Sequence, residues 1–80
     1  MTNGEYRVGI DFNPSASGLV AQIKRASADL IDLIETLPHP DYNESEVAHL
    51  FEVSRLKALA TTSIEQGAMW AVKAATKGKR

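Results

Sequence analysis

The 80-residue chain has no cysteine, which excludes disulfides and any thiolate metal site and fits a reducing cytoplasm. Its two histidines, His39 and His49, stand ten apart with no recognisable ligand spacing, so no metal is expected. No stretch approaches the roughly 20 apolar residues that span a bilayer, so no membrane segment is expected. Met1 to Arg7 shows no apolar run, and no signal peptide is expected there. There is no large excess of either charge: nine Lys plus Arg face ten Asp plus Glu, unlike a generic nucleic-acid binder. Lys73, Lys77, Lys79 and Arg80 nevertheless gather at the C-terminal end. A chain this short buries only about 60% of the surface it exposes when unfolded. With disulfides excluded and a structural metal not expected, partner chains are the remaining means of stabilisation.

What is present is helical. Leu19, Ile23, Ala26, Leu30, Leu33 and Leu37 recur at steps of four and three, with Val20, Ser27, Ile31 and Ile34 as a second stripe beside them. Together they predict a helix from about Gly18 to Leu37 with an apolar face wider than one partner helix covers. Gln22, Lys24, Arg25, Asp29, Asp32 and Glu35 take the remaining, polar positions. Asn13-Pro14-Ser15 reads as a turn, with Ser15 or Ser17 as the N-cap. Pro38 and Pro40 end the helix, and Asn43 with Glu46 resembles a capping box opening a second helix near Glu44. That helix runs to about Thr76, with a possible break at Val53-Ser54. Its buried stripe is expected to begin at Val47, Leu50, Phe51 and Ser54 and to continue through Leu56, Leu59, Ala60, Ile64, Gly67, Ala68, Ala71 and Ala74. Gly67 inside it points to close packing or ligand access. The short connection implies an antiparallel hairpin. The expected fold is therefore all-α: an antiparallel two-helix hairpin over 19–76, an irregular N-terminal arm over 1–18 and a basic tail over 77–80, assembled into a homo-oligomer.

No catalytic constellation is visible. The serines lack a histidine partner at any motif spacing, and Gly-rich phosphate loops are absent. The chain is not expected to be an enzyme or to carry a cofactor. Glu46 and His49 form Glu-x-x-His, which in a bundle can be half of a di-metal site, but a solvated face is the simpler reading. Asp29, Asp32 and Glu35 likewise read as a solvated face. Lys24 and Arg25 are either two exposed basic residues or a cationic clamp for phosphate, a point charge beside a fork. Arg55 and Thr62, two helical turns apart, could supply further donors. Tyr6 and Phe12 are either packing residues or aromatic platforms for a base. Trp70 reads as a core residue of the hairpin or of a contact between subunits.

One segment goes further. Within Ser54 to Ala74, the residues Arg55, Leu59, Ala60, Thr62, Ile64, Glu65, Gln66, Gly67, Met69, Trp70, Ala71, Lys73 and Ala74 form a pattern. That pattern resembles the helical-hairpin domain of phage anti-CBASS and anti-Thoeris sponge proteins. Ile23-Lys24 is similar to the Ile-Lys step in that family's first helix, and the resemblance spans roughly residues 19 to 76. It implies a protein of the host bacterial cytoplasm that binds cyclic oligonucleotides or cyclic ADP-ribose-type messengers of bacterial immunity, holding them without cleavage. It also implies a homo-oligomer, commonly a hexamer, with ligands between subunits. By position, Lys24 would contact ligand phosphate, and Arg55 and Thr62 would line a pocket between chains. Phe12 would stack a base, with Tyr6 as its rival, and Arg25 stands beside Lys24 in the clamp. Neither DNA nor a membrane is implied as a partner. Two other readings stay open: a helical protein-interaction module that docks by its apolar stripe, and a nucleic-acid accessory protein using the basic tail.

Overall fold

A computed structural model describes residues 1–38 and 47–78, and the chain is all-α over them. Helix α1 is Asn3–Val8, α2 is Gly18–Glu35 and α3 is Val47–Thr76. The expected Asn43–Glu46 cap, His39, Glu46 and the end of the basic tail lie outside the described residues. His49 is exposed. Among the described residues no helix is long and apolar enough to cross a membrane. No group of three His, Cys, Asp or Glu side chains there could hold a metal ion.

The first departure from the sequence reading is α1, which replaces the irregular arm expected at its start. Its cause is a complete capping box: the Thr2 hydroxyl accepts from Glu5 N–H, and the Glu5 carboxylate accepts from Thr2 N–H at 2.7 Å. Gly9 closes the helix in the left-handed region at φ 63°, a conformation that glycine adopts without steric cost. The turn at Asn13 forms as expected. The Asn13 side chain accepts from Ser17 N–H and from the Ser15 hydroxyl, and Ser17 then caps α2 by accepting from Val20 N–H.

Helix α1 runs antiparallel to α2 and lies against it. Asn3 meets Glu35, Gly4 meets Asp32, and Gly9 meets Lys24. The approach at Gly4 is so close that a Cβ there would stand 2.2 Å from the Ala28 carbonyl oxygen. Helices α2 and α3 form the antiparallel pair: Lys57 donates to the Leu37 carbonyl at one end, while Lys24 faces Thr62 and Met69 toward the other.

The two apolar stripes of α2 have different fates. Val20, Ala28 and Ile31 are buried, joined unexpectedly by Lys24, whereas Leu19, Leu30, Leu33 and Leu37 remain exposed. On α3 only Thr61 and Ala68 are buried, and Phe51, Leu56, Leu59, Met69 and Trp70 are exposed. The helix continues through Val53-Ser54 without a break. The molecule measures 57 × 26 × 13 Å, and much of the apolar surface of its described helices is exposed.

Candidate functional site

The capped α1 and its following turn, α2 and the C-terminal half of α3 enclose an open groove of about 600 Å³. Arg7, Val8 and Phe12 form one wall, Lys24 the floor, and Thr62, Glu65, Gln66 and Met69 the other wall. Most of this lining is apolar, with a few convergent polar groups, the usual composition of a small-molecule site.

Lys24 is the unusual member. It is 6% exposed, yet among the described residues it forms no ion pair with a carboxylate. Its ammonium donates to the carbonyl oxygens of Gly9, at 2.8 Å, and Phe12, and lies 5.3 Å from the centroid of the Phe12 ring. Burial of a cation without a counter-charge is costly, and the carbonyl dipoles and the aromatic face offset part of that cost. An ammonium has three donors, and two are engaged here. The left-handed Gly9 and the tight turn to Phe12 aim both carbonyls at it. The sequence reading set Lys24 on the polar side of α2, and α1 is what covers it.

The remaining candidates divide. Phe12 lines the groove with its ring 71% exposed, and Thr62 stands on the α3 wall. Arg25 does not line the groove. Its guanidinium donates to Glu5 at 2.8 Å and to Asp29 at 2.7 Å, tying α1 to α2. The Arg25 hydrogen bond, with that from Thr2 N–H, holds the Glu5 carboxyl at about 2 against an ordinary 4.5. Tyr6 points to solvent on α1, away from the groove lining. Arg55 pairs with Glu52 at 2.7 Å along the exposed side of α3, outside this groove.

Three polar residues of the groove, Arg7, Glu65 and Gln66, carry no individual role in the sequence reading. Arg7 and Glu65 form an ion pair at 3.0 Å between α1 and α3. Glu65 was present in the α3 pattern, and Arg7 was legible only through the Thr2–Glu5 capping box, which puts it on the last turn of α1. A second, smaller cavity of about 400 Å³ lies behind Arg7, between Asn3 and Glu35 on one side and Lys57 and Thr61 on the other.

The family model described as Acb2/Tad1, hairpin domain, matches residues 4–76, a span that includes α1 as well as the hairpin. No curated protein and no solved structure compared with the chain gives a match. The match takes in nearly the whole sequence, and every residue of the groove lies inside it. The chain belongs to the Acb2/Tad1 hairpin-domain family of anti-CBASS and anti-Thoeris sponge proteins.

Proposed function

We propose that this protein sequesters a cyclic oligonucleotide or cyclic ADP-ribose-type messenger, holding it intact and so silencing CBASS or Thoeris signalling in an infected host. The observation that carries the reading is Lys24: a nearly buried ammonium on the floor of a groove, faced by carbonyl oxygens rather than carboxylates, with a proton left to donate. An anionic phosphate supplies the counter-charge with which Lys24 forms no pair among the described residues. Phe12 beside it offers an exposed ring on which a base can stack. Thr62 and Gln66 offer polar groups from α3 to the ligand's sugar or base edges. Arg25 contributes by holding α1 in place, and Tyr6 and the Glu52-paired Arg55 stand exposed, where another subunit can meet them.

A sponge acts by mass action rather than turnover, so it needs affinity near the nanomolar range, about −12 kcal/mol. One open groove reaches this more readily when a second chain closes it. A protein of 8.7 kDa ordinarily exposes about 4,700 Å², and this chain exposes 5897 Å², roughly 1,200 Å² more. That excess is of the size one protomer buries in a specific interface. Leu19, Leu30 and Leu33 on α2 and Leu59 and Trp70 on α3 supply apolar surface for it. The assembly we propose is a homo-oligomer, a hexamer by family likeness.

The test is depletion. Purified protein is mixed with cyclic dinucleotides, cyclic trinucleotides and cyclic ADP-ribose isomers, with linear nucleotides as controls, and the free compound is measured after ultrafiltration. The expected result is stoichiometric loss of one cyclic compound and its recovery intact after denaturation. Recovery as a linear product contradicts sequestration without cleavage. No depletion across the panel turns attention to the exposed apolar stripe as a docking face for another protein.

A further inference from the structure

The ion pair between Arg7 and Glu65 crosses the groove just where a ligand bound at Lys24 would lie. Its geometry is specific. Arg7 Nε donates to Glu65 Oε2 at 3.2 Å, and Nη2 lies 3.0 Å from the same oxygen in the ion pair. A guanidinium fork matches two acceptor oxygens, one for each N–H, and here both converge on one. Among the described residues, the other Glu65 oxygen and Arg7 Nη1 have no partner. The pair is also wet, with side chains 33% and 41% exposed, so it stabilises the fold weakly.

We infer that Glu65 is a built-in competitor for the ligand's phosphate: the carboxylate occupies Arg7 in the empty groove and is exchanged for a phosphate when the ligand binds. Two phosphate oxygens accept separately from Nε and Nη2, giving the fork–fork arrangement that one carboxylate oxygen does not provide. Lys24 and Arg7 then address the ligand from the floor and one wall of the groove. Released Glu65 swings toward solvent, where its carboxylate is hydrated. The device sets a threshold for entry. A weakly charged ligand that cannot displace a carboxylate leaves the ion pair in place, while a phosphodiester ring that brings two or more oxygens to Arg7 displaces it. Arg7 is thus a ligand-binding residue and Glu65 a specificity-determining one. Because Arg7 also borders the smaller cavity behind it, its side chain has room to adjust during the exchange.

This inference rests on the sequestration reading, and one experiment separates the two. Cyclic diadenylate, cyclic triadenylate and cyclic ADP-ribose are each titrated calorimetrically into the full chain, Glu65→Gln and Arg7→Gln. The exchange predicts changes of opposite sign. Glu65→Gln removes the competitor and binds about fivefold tighter, equivalent to about 1 kcal/mol. Arg7→Gln binds at least about tenfold weaker. If the pair were only a strut holding α1 to α3, both variants would lose affinity, and that result overturns the exchange while leaving sequestration standing. Equal affinity in Glu65→Gln and the parent overturns it as well. Absence of binding by the parent to every compound of the depletion panel removes both readings together. Arg7→Lys, which keeps the charge and loses the fork, guards against misfolding of Arg7→Gln. It is expected to fall between Arg7→Gln and the parent.

Discussion

Replacing Gly4 with alanine adds a methyl group where the structure has no room. Its Cβ would stand 2.2 Å from the Ala28 carbonyl oxygen and 2.7 Å from Asp32 Oδ1. The first obstacle is backbone within α2 and cannot rotate aside, so α1 must retreat by about 1 Å to restore ordinary contact. That movement stretches the 2.8 Å hydrogen bond from Gly4 N–H to Asp32 beyond useful length. A hydrogen bond to a charged group contributes about 1.5–3 kcal/mol, and the better helix propensity of alanine returns about 1 kcal/mol. Docking of α1 should weaken by roughly 0.5–2 kcal/mol, about a two- to thirtyfold shift between docked and undocked forms. Arg7, Val8 and Phe12 reach the groove only through docked α1, so ligand affinity should fall by about the same factor without any ligand contact being altered. Hydrogen exchange of the Gly9 and Ile10 amides, whose acceptors lie in α1, reads the docking, and calorimetry reads the affinity. Parent-like protection at both amides together with parent-like affinity would refute the steric argument.

Other perturbations have definite signs. Glu5 is held at about 2 by Arg25 and Thr2, below its ordinary 4.5, so its contribution to α1 docking is present above about pH 4.5 and is lost as pH falls toward 2. A carbon-detected titration of the Glu5 carboxyl should show the low midpoint, and Arg25→Gln should raise it toward 4.5. A parent midpoint near 4.5 would contradict the Arg25 tie. Trp70 is 60% exposed in the single chain, so Trp70→Ala should loosen the assembly with little effect on helix content. An unchanged sedimenting mass would place the interface elsewhere. Gly67 has nothing within 4 Å of its missing Cβ, so Gly67→Ala should raise thermal stability by about 0.5–1 kcal/mol. Loss of stability instead would show that a neighbouring subunit approaches Gly67.

The sequence disclosed α2 and α3 because long amphipathic periods survive any local context. The Ser17 cap and the Asn13 turn were legible for a similar reason, since each rests on bonds within a few residues. Helix α1 was missed although Thr2-Asn3-Gly4-Glu5 spells a capping box, because six residues with two glycines nearby show no helical period. That omission propagated to the site. Without a docked α1, Lys24 reads as a solvent-facing cation; with it, the side chain is buried under Gly9 and Phe12. The choice between the two apolar stripes of α2 was equally hidden. Periodicity shows that a face is apolar, and only the close approach at Gly4 and Ala28 and the line of α3 decide which part is covered within one chain. Arg25 and Arg55 illustrate the reverse case: their chemistry suited phosphate, but carboxylates at i+4, at i−3 and on α1 already engage them.

The most direct test of the central claim compares the parent with Lys24→Ala by calorimetric titration of the depleted cyclic compound, alongside sedimentation of both proteins. Removing a buried charge-assisted donor should weaken binding by about 1.5–3 kcal/mol, ten- to a hundredfold or more, with the sedimenting mass unchanged. Lys24→Ala binding as tightly as the parent would contradict the assignment of phosphate recognition to this groove.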